Sequence, residues 1–474
     1  MDHTPAPEPT PHTPGTWSEL FGPRHRAITT VLAGGVAVYA TNIFVTTSLL
    51  PNAVADIGGQ RYYAWTMTVF LLASVISSML VGLALRTHGP RRSYLAGFGV
   101  FAVGSAAAAL APTMELLLVG RAVQGLGGGL LTGLAFGVLR SALPDRLWPR
   151  AIALISAMWA VGNILGPILG GLFAQLGIWR GAFWLLAAAA LALCLMSQRA
   201  LPRTRPHRAG RGGLGVPYQG LVLLTVVAGA ISVASVVAGT GLRVGLIAAA
   251  AVALGLFIVS ERRVRNPVLP RFTYTRTSPL PWVYLGILFL AIGGTVEMFV
   301  PLFGQELGGM TPLMAGLLGA ALSWGWSAAS ITATYATAPR TIAAIKISGP
   351  AVLAVGLLAY GFLQRVDPGP WVITGWFAAL VVTGAGIGMA FAHLITAALS
   401  STDDEDDAAK ASAGVNTVQL IANTLGSALA GLLVAVGGPG LVGSARYLTV
   451  GFAVIAVLGV LVAVRGTRGQ RAPL

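Results

Sequence analysis

Two charged side chains stand inside long apolar stretches of this 474-residue sequence: Glu297, within LAIGGTVEMFVPLFG at 290–304, and Arg121, within 114–139. A charge in the middle of a membrane-spanning helix costs about 2.5–3.5 kcal/mol on insertion scales, so such residues face a partner or water and mark function. Burial favours the neutral form of a carboxyl group, and a nearby guanidinium favours its ionised form. The two residues therefore predict proton uptake and release by Glu297, with Arg121 biasing the equilibrium. A static ion pair, or a protonated glutamate bonded to the backbone, is the alternative.

The elements that must hold these charges are membrane helices. The chain is 55% hydrophobic and only 9% charged, with a mean hydropathy of +0.78, whereas soluble domains carry about 25% charged residues. Apolar runs of about 20 residues, enough to cross the bilayer as helices, recur along the whole chain. The fold class is therefore an all-α polytopic membrane protein.

The hydropathy pattern predicts fourteen spans. They lie near 27–50, 63–85, 93–111, 114–139, 148–173, 179–200, 218–238, 241–260, 281–304, 311–337, 343–363, 371–397, 411–436 and 441–464. Fourteen crossings place both termini on one side of the membrane. We expect a multi-pass protein of the inner (plasma) membrane with both termini in the cytoplasm.

The basic residues support this orientation. Of the 30 Lys and Arg residues, 24 fall in the loops and tails assigned to the cytoplasm, five fall in outer loops, and Arg121 falls inside a span. This is the distribution of the positive-inside rule, so the formal charge of +15 indicates topology and predicts no nucleic-acid partner. The acidic run DDEDD at 403–407 is interpreted as a solvated inner loop in preference to a metal site.

An internal repeat divides the chain into two halves. NILGPILGG at 163–171 matches NTLGSALAG at 423–431, and GLGGG at 125–129 matches GAGIG at 384–388, at nearly the same offset. Two equivalent halves around a central path are typical of secondary transporters. The predicted domains are a disordered cytoplasmic tail at 1–23, a six-helix half at 24–200, a basic cytoplasmic loop at 201–217, two additional helices at 218–260, a cytoplasmic linker at 261–280, a second six-helix half at 281–465 and a cytoplasmic tail at 466–474.

Several stretches resemble the major facilitator superfamily, and specifically its fourteen-helix drug:proton antiporter branch. GRAVQGLGGG at 120–129 is similar to the family's fourth-span pattern, and GNILGPILGG at 162–171 is similar to its antiporter motif. LLPNAVADIG at 49–58 looks like the family's first outer loop. The motif residues are Gly162, Gly166, Pro167, Gly170 and Gly171. Glycine at every fourth position lets a neighbouring helix approach closely, and proline removes a backbone hydrogen bond and favours a bend.

The resemblance implies a major facilitator fold in which the first and fourth helices of each half line a central cavity. It places Arg121 and Glu297 in that cavity. The predicted substrate-cavity residues are Asn42, Gln124, Phe44, Trp159, Phe299 and His393. Each of the aromatic residues and His393 also suits ordinary packing against lipid or a neighbouring helix.

The sequence departs from the family pattern at two places. The predicted cytoplasmic gate loop, GLALRTHGPRR at 82–92, keeps Gly82 and Gly89 but has Arg86 where the family has aspartate and Pro90 where it has arginine. Arg91 is also assigned to this loop. The first span has Asn42 where many relatives have aspartate. Both differences put the family's usual gating and coupling scheme in question.

The predicted function is proton-coupled multidrug efflux of amphipathic or cationic small molecules by alternating access. The protein is expected to be a monomer whose partners are a small-molecule substrate, protons and membrane lipid. No nucleophile arrangement, metal cluster or phosphate-binding loop predicts an enzyme, a metal or a cofactor. Two alternatives stay open: export of an endogenous metabolite (a lipid, siderophore or antibiotic), and a transport-inactive membrane sensor or assembly partner.

Overall fold

The computed structural model describes residues 16–201, 216–264, 266–275, 278–402 and 404–469, and the regular structure within these ranges is entirely helical. The N-terminal half comprises α1 (Trp17–Leu20), α2 (Arg26–Ile57), α3 (Trp65–Met79), α4 (Val81–Leu110), α5 (Met114–Ala142), α6 (Trp148–Gln175) and α7 (Trp179–Ala200). Two further helices follow, α8 (Tyr218–Val236) and α9 (Thr240–Glu261). The C-terminal half comprises α10 (Leu280–Gly294), α11 (Val300–Glu306), α12 (Pro312–Ala333), α13 (Pro339–Phe362), α14 (Pro370–Leu399), α15 (Glu405–Val436) and α16 (Leu441–Gly469).

Thirteen helical segments among the described residues are long and apolar enough to cross a membrane. The predicted span at 311–337 is also helical, as α12, and its 22 residues extend about 33 Å. Its serines, tryptophans and glycines make it less apolar than the other segments. The predicted fold class is confirmed, whereas the number of fourteen spans stays a prediction.

The internal repeat is visible in the contacts of its glycines. A methyl group added to Gly166 would strike Phe44 of α2, and one added to Gly426, the equivalent position, would lie 2.6 Å from Thr295 beside α10. Gly166 therefore lets α6 pack closely against α2, the first helix of the N-terminal half. Gly426 lets α15 pack closely against α10, the first helix of the C-terminal half. The same kind of residue makes the same helix contact in both halves.

A second equivalent pair of glycines joins the two halves. A methyl group on Gly171 of α6 would lie 2.7 Å from the Leu313 backbone of α12, and one on Gly431 of α15 would lie 2.5 Å from Ala64 beside α3. Each half thus presses its fifth helix against the second helix of the other half. Small side chains allow this close approach, in which helices in lipid gain van der Waals contact.

The contacts between the halves gather at one end of the bundle, which we call the closed end. This end carries the last residues of α2 and α6 and the first residues of α3 and α12. The Tyr63 hydroxyl donates to the Met298 carbonyl oxygen at 3.4 Å, and the hydroxyls of Thr68 and Ser427 are 2.8 Å apart. Both of these hydrogen bonds between the halves, for which the structure describes the two partners, lie at the closed end.

The two additional helices form a hairpin beside the seam between the halves. Helix α8 packs against α3 and α15, and the Trp65 indole nitrogen donates to the Ser232 carbonyl oxygen at 3.0 Å. The last part of α8 therefore lies at the closed end, and its first residues lie at the opposite end. Most side chains of α9 are exposed on the outside of the bundle.

Three predicted irregular segments contain helix instead. In the predicted tail at 1–23, Trp17–Leu20 form a helical turn capped by Thr16, because Leu20 is buried and its carbonyl oxygen accepts from the Thr29 hydroxyl. In the acidic run predicted as a loop, residues 405–407 belong to α15, and Asp404 caps this helix by accepting from the Asp407 backbone nitrogen at 2.9 Å. Acidic residues favour a helix N-terminus through the helix dipole.

The predicted gate loop is the third such segment. The chain between 81 and 110 is helical except at Gly89, whose φ of 75° is readily adopted only by glycine. Residues 1–15, 202–215 and 470–474, which include most of the predicted tails and basic loop, lie outside the described residues.

Candidate functional site

Arg121 lies two turns into α5 and is completely buried. Its Nη1 donates to Asn42 Oδ1 of α2 at 2.9 Å and to Gln124 Oε1 at 2.8 Å, and its Nε donates to the Thr66 carbonyl oxygen at 3.3 Å. The guanidinium carbon lies 4.2 Å from the centre of the Phe70 ring, a distance that allows a cation–π interaction. Three helices of the N-terminal half therefore enclose this cation.

The acceptors around Arg121 are all neutral. Gln124 continues the network, because its Nε2 donates to Ser105 Oγ of α4 at 2.8 Å and to Asn42 Oδ1 at 3.3 Å. Gly104 lets the α4 backbone approach Gln124, since a methyl group there would overlap the Gln124 backbone nitrogen. Among the described residues no carboxylate forms an ion pair with Arg121. The positive charge is dispersed over amides and a carbonyl group without being neutralised.

Glu297 lies where a membrane helix is interrupted. Helix α10 ends at Gly294, a 3-10 turn covers Thr295–Phe299, and α11 begins at Val300 with Pro301 in its first turn. Ser323 Oγ of α12 lies 3.4 Å from both carboxylate oxygens of Glu297. Such distances are at the long limit of a hydrogen bond, so among the described residues a single weak donor, Ser323, holds the carboxylate.

The 3-10 turn lies inside the bundle. It packs against α2 of the other half and against α12, α15 and α16 of its own half. Phe299 stacks on Tyr63 at 5.0 Å and on Phe303 at 6.0 Å between ring centres. Glu297 itself is half-buried. Glu297 is therefore surrounded by helices of both halves and is not completely covered by them.

The structure does not bring Glu297 and Arg121 together. No hydrogen bond or ion pair between described residues joins them. Arg121 donates to groups of the N-terminal half, and Glu297 accepts from Ser323 of α12, which belongs to the C-terminal half like Glu297 itself. The predicted partner of Glu297 is therefore replaced by Ser323 in this conformation. The role of each residue in proton coupling stays a prediction.

The antiporter motif forms the contact between α6 and α2. Methyl groups on Gly162, Gly166 and Gly170 would strike Ala40, Phe44 and Val45 respectively, at 2.6 Å for Ala40. Pro167 lies within the continuous helix α6, and its carbonyl oxygen faces Gly316 of α12. The predicted close approach of a neighbouring helix is present along the whole motif.

Comparison with known proteins decides the family. The model of the Major Facilitator Superfamily matches residues 32–419. The chain belongs to this superfamily. A "Probable multidrug-efflux transporter" of Mycobacterium tuberculosis is 41% identical over 461 residues, which cover 96% of this chain and 98% of the relative. The chain is therefore an integral multi-pass membrane transporter and not an enzyme.

Solved structures of other transporters share the fold. A bacterial homolog of the human lysosomal transporter Spinster, in an inward-facing conformation, superposes with a TM-score of 0.65 at 15% identity, covering 94% of this chain and 96% of that one. An auto-inhibited peptide transporter of the POT family has a TM-score of 0.65 at 16% identity, covering 95% and 98%. At this identity the likeness concerns the fold alone.

The other predicted cavity residues of this superfamily member lie on different helical elements. Phe44 is half-buried beside Gly166, and Trp159 is half-buried with its ring edge-to-face to Tyr39 at 5.8 Å. His393 lies near the end of α14, buried, and its Nε2 has no hydrogen-bond partner among the described residues. Phe299 lies in the same 3-10 turn as Glu297.

The gate-loop residues have different surroundings. Gly82 faces open space and Arg86 is exposed, whereas Gly89 is buried at the kink of α4. Arg91 is half-buried and its Nε lacks a hydrogen-bond partner among the described residues. The charge of Arg86 thus stands on the surface, where aspartate stands in the family pattern.

Sequence reasoning missed the residues that hold the two charges. Ser323 binds the Glu297 carboxylate, and Ser105 and Thr66 complete the Arg121 network. A hydroxyl in mid-span is a usable signal, because polar side chains in membrane helices form hydrogen bonds across helices. Serine and threonine are frequent in these spans, however, so the signal alone does not select these three residues.

Proposed function

We propose that this protein is a proton-coupled exporter of amphipathic or cationic small molecules. The observation that carries the proposal is the half-buried Glu297 inside the bundle, held by a single serine hydroxyl. A carboxyl group in this position has access to protons from the interior space and has no strong partner that would fix one charge state. Its ionised form also supplies a counter-charge for a cationic substrate.

Alternating access is the proposed mechanism. The hydrogen bonds between the halves whose two partners the structure describes, such as Tyr63 with Met298, lie at the closed end, far from the end where α2 begins. This arrangement supports a state that is open toward the side of the N-terminus. The excess of Lys and Arg in the loops of that side supports its assignment to the cytoplasm, with the protein in the plasma membrane.

The proposed cycle uses the titration of Glu297. With the substrate bound, the carboxylate is ionised; proton entry from outside neutralises it and releases the substrate there. The return of the protonated carrier carries the proton inward. Exchange of one proton for one monovalent cation moves no net charge, so the pH gradient drives it; each pH unit provides about 1.4 kcal/mol and sustains a concentration ratio of about 10.

The test is transport in proteoliposomes that hold the purified full chain. An imposed pH gradient should drive accumulation of the cationic dye ethidium, and Glu297→Gln should reduce it to the level of protein-free liposomes. Glu306→Gln is the matched control, because Glu306 is exposed at the end of α11, and it should transport like the wild type. Full gradient-driven transport by Glu297→Gln would show that another group carries the proton.

A wild type that moves no dye with any gradient would contradict the proposed substrate class. The same liposomes then distinguish a proton-coupled exporter of another compound from a protein without transport. Proton release on substrate addition, followed with a pH-sensitive dye, separates the two.

A further inference from the structure

A groove of about 740 Å³ lies between α8 and α9, away from the path between the halves. Its lining includes Tyr218, Gln219, Val222, Val259, Ser260 and Arg263. The volume lies in the range of about 300–1,000 Å³ that is typical of small-molecule sites. Because Tyr218 begins α8 and Ser260 precedes the last residue of α9, the groove opens at the end of the bundle where α2 begins.

The walls of the groove change from polar to apolar along the hairpin. Tyr218, Gln219 and Arg263 lie at its mouth. Val222 lies about one turn deeper than Tyr218, and Leu256 lies about two turns before Arg263. Val222 is 61% exposed and Leu256 is 55% exposed, so neither is covered by another part of the described chain. A polar mouth above exposed apolar walls matches a phospholipid, which has a polar headgroup and apolar acyl chains.

The charge of the groove selects among lipids. Arg263 is exposed and none of the residues that line the groove is acidic. The adjacent carboxylate of Glu261 is turned away and buried, where it accepts hydrogen bonds from the backbone nitrogens of Val268 and Leu269 and from the Tyr274 hydroxyl. The positive charge of Arg263 is therefore not neutralised at the mouth, and it complements an anionic headgroup.

We propose that this groove binds one anionic phospholipid, with the phosphate at Arg263 and an acyl chain along Val222 and Val259. The site is independent of the proposed proton coupling. It adjoins the seam between the halves, because α8 packs against both α3 and α15. A lipid bound there contacts the hairpin beside the two helices that join the halves near Thr68 and Ser427.

The experiment is native mass spectrometry of the full-length protein in detergent, with phosphatidylglycerol and phosphatidylcholine of identical acyl chains. The wild type should retain one phosphatidylglycerol in preference to phosphatidylcholine. Arg263→Gln should weaken binding of phosphatidylglycerol about five-fold, the effect of one basic residue near the membrane surface. Arg262→Gln is the matched control: it removes the same charge one residue away, at an exposed position that does not line the groove.

Two further measurements test the groove independently of Arg263→Gln. Val222→Trp fills the groove and should remove the bound lipid while the melting temperature stays unchanged; this variant tests the site even if Arg263→Gln misfolds. Inorganic phosphate should fail to displace the lipid, and displacement by phosphate would identify a free-anion site instead. Equal binding of both lipids, or equal losses in Arg263→Gln and Arg262→Gln, would reduce the groove to part of the ordinary lipid surface and overturn the proposal.

Discussion

The N-terminal and C-terminal halves each hold a charged residue at their centre, but they hold it in opposite ways. Arg121 is completely buried, with hydrogen bonds to two side-chain amides and one backbone carbonyl group, above an aromatic ring. Glu297 is half-buried at a break in its helix, with one serine hydroxyl at 3.4 Å. The N-terminal half encloses its charge completely, whereas the C-terminal half leaves its charge half-buried.

This difference indicates which charge is able to change. Removing an acceptor from a buried cation leaves donors without partners, which is expensive in a medium without water. A carboxyl group with one weak donor loses little when it is protonated. We therefore infer that Arg121 is mainly a structural centre of its half and that Glu297 is the titrating group.

The largest expected effect is a loss of stability when a residue that binds Arg121 in the N-terminal half is replaced. Gln124→Leu removes the acceptor at 2.8 Å from Arg121 and the donor to Ser105. We expect the free energy of unfolding to fall by about 3 kcal/mol, measured as thermal unfolding in detergent. Glu297→Gln should change it by less than about 1 kcal/mol. Equal losses in the two variants would mean that both charges are structural.

Substitutions at the contacts between the fifth and first helices test whether the two halves are equivalent outside their charged residues. Gly166→Ala and Gly426→Ala each insert a methyl group between the fifth and first helices of a half, against Phe44 and Thr295 respectively. Each should lower the free energy of unfolding by about 1–3 kcal/mol through overpacking. Gly255→Ala in α9 is the control, because a methyl group there meets no atom within 4 Å. If only one of the two variants lost stability, the two halves would share the backbone fold but not the tight packing between their fifth and first helices.

The smallest effect on stability is expected from Ser323→Ala. The variant removes only the weak hydroxyl donor to Glu297, so stability should change by about 0.5–1 kcal/mol. Since the lost donor favours the ionised carboxylate, the pH profile of ethidium transport should move to higher pH. Ser327→Ala, one turn further along α12 at an exposed position, is the control. An unchanged profile would mean that Ser323 does not influence the proton-binding step.

The sequence allowed the helices, the repeat and the glycine seams to be predicted, because hydropathy and glycine spacing are local properties. It did not allow the partner of Glu297 to be predicted. Counting residues gives the depth of a side chain in the membrane, and Glu297 and Arg121 have similar depths by that count. Depth does not give the direction in which a side chain points around its helix, and in the structure each residue points to a partner in its own half.

The break at Glu297 was also not predicted. Residues 295–299 continue an apolar run, and only the glycine pair before them and Pro301 after them mark an irregularity. The short helix at Trp17–Leu20 and the capped start of α15 were missed for a related reason. Both depend on one buried leucine or one side-chain cap, which composition averaged over a segment does not show.

The 3-10 turn at Thr295–Phe299 has a mechanical consequence. A 3-10 helix rises about 2.0 Å per residue with three residues per turn, against about 1.5 Å and 3.6 residues in an α-helix. Rewinding these five residues as α-helix would shorten the segment by about 2.5 Å and rotate α11 relative to α10 by about 100°. A change confined to one stretch of backbone is thus sufficient to reorient the acidic side chain and retract the outer part of its helix together.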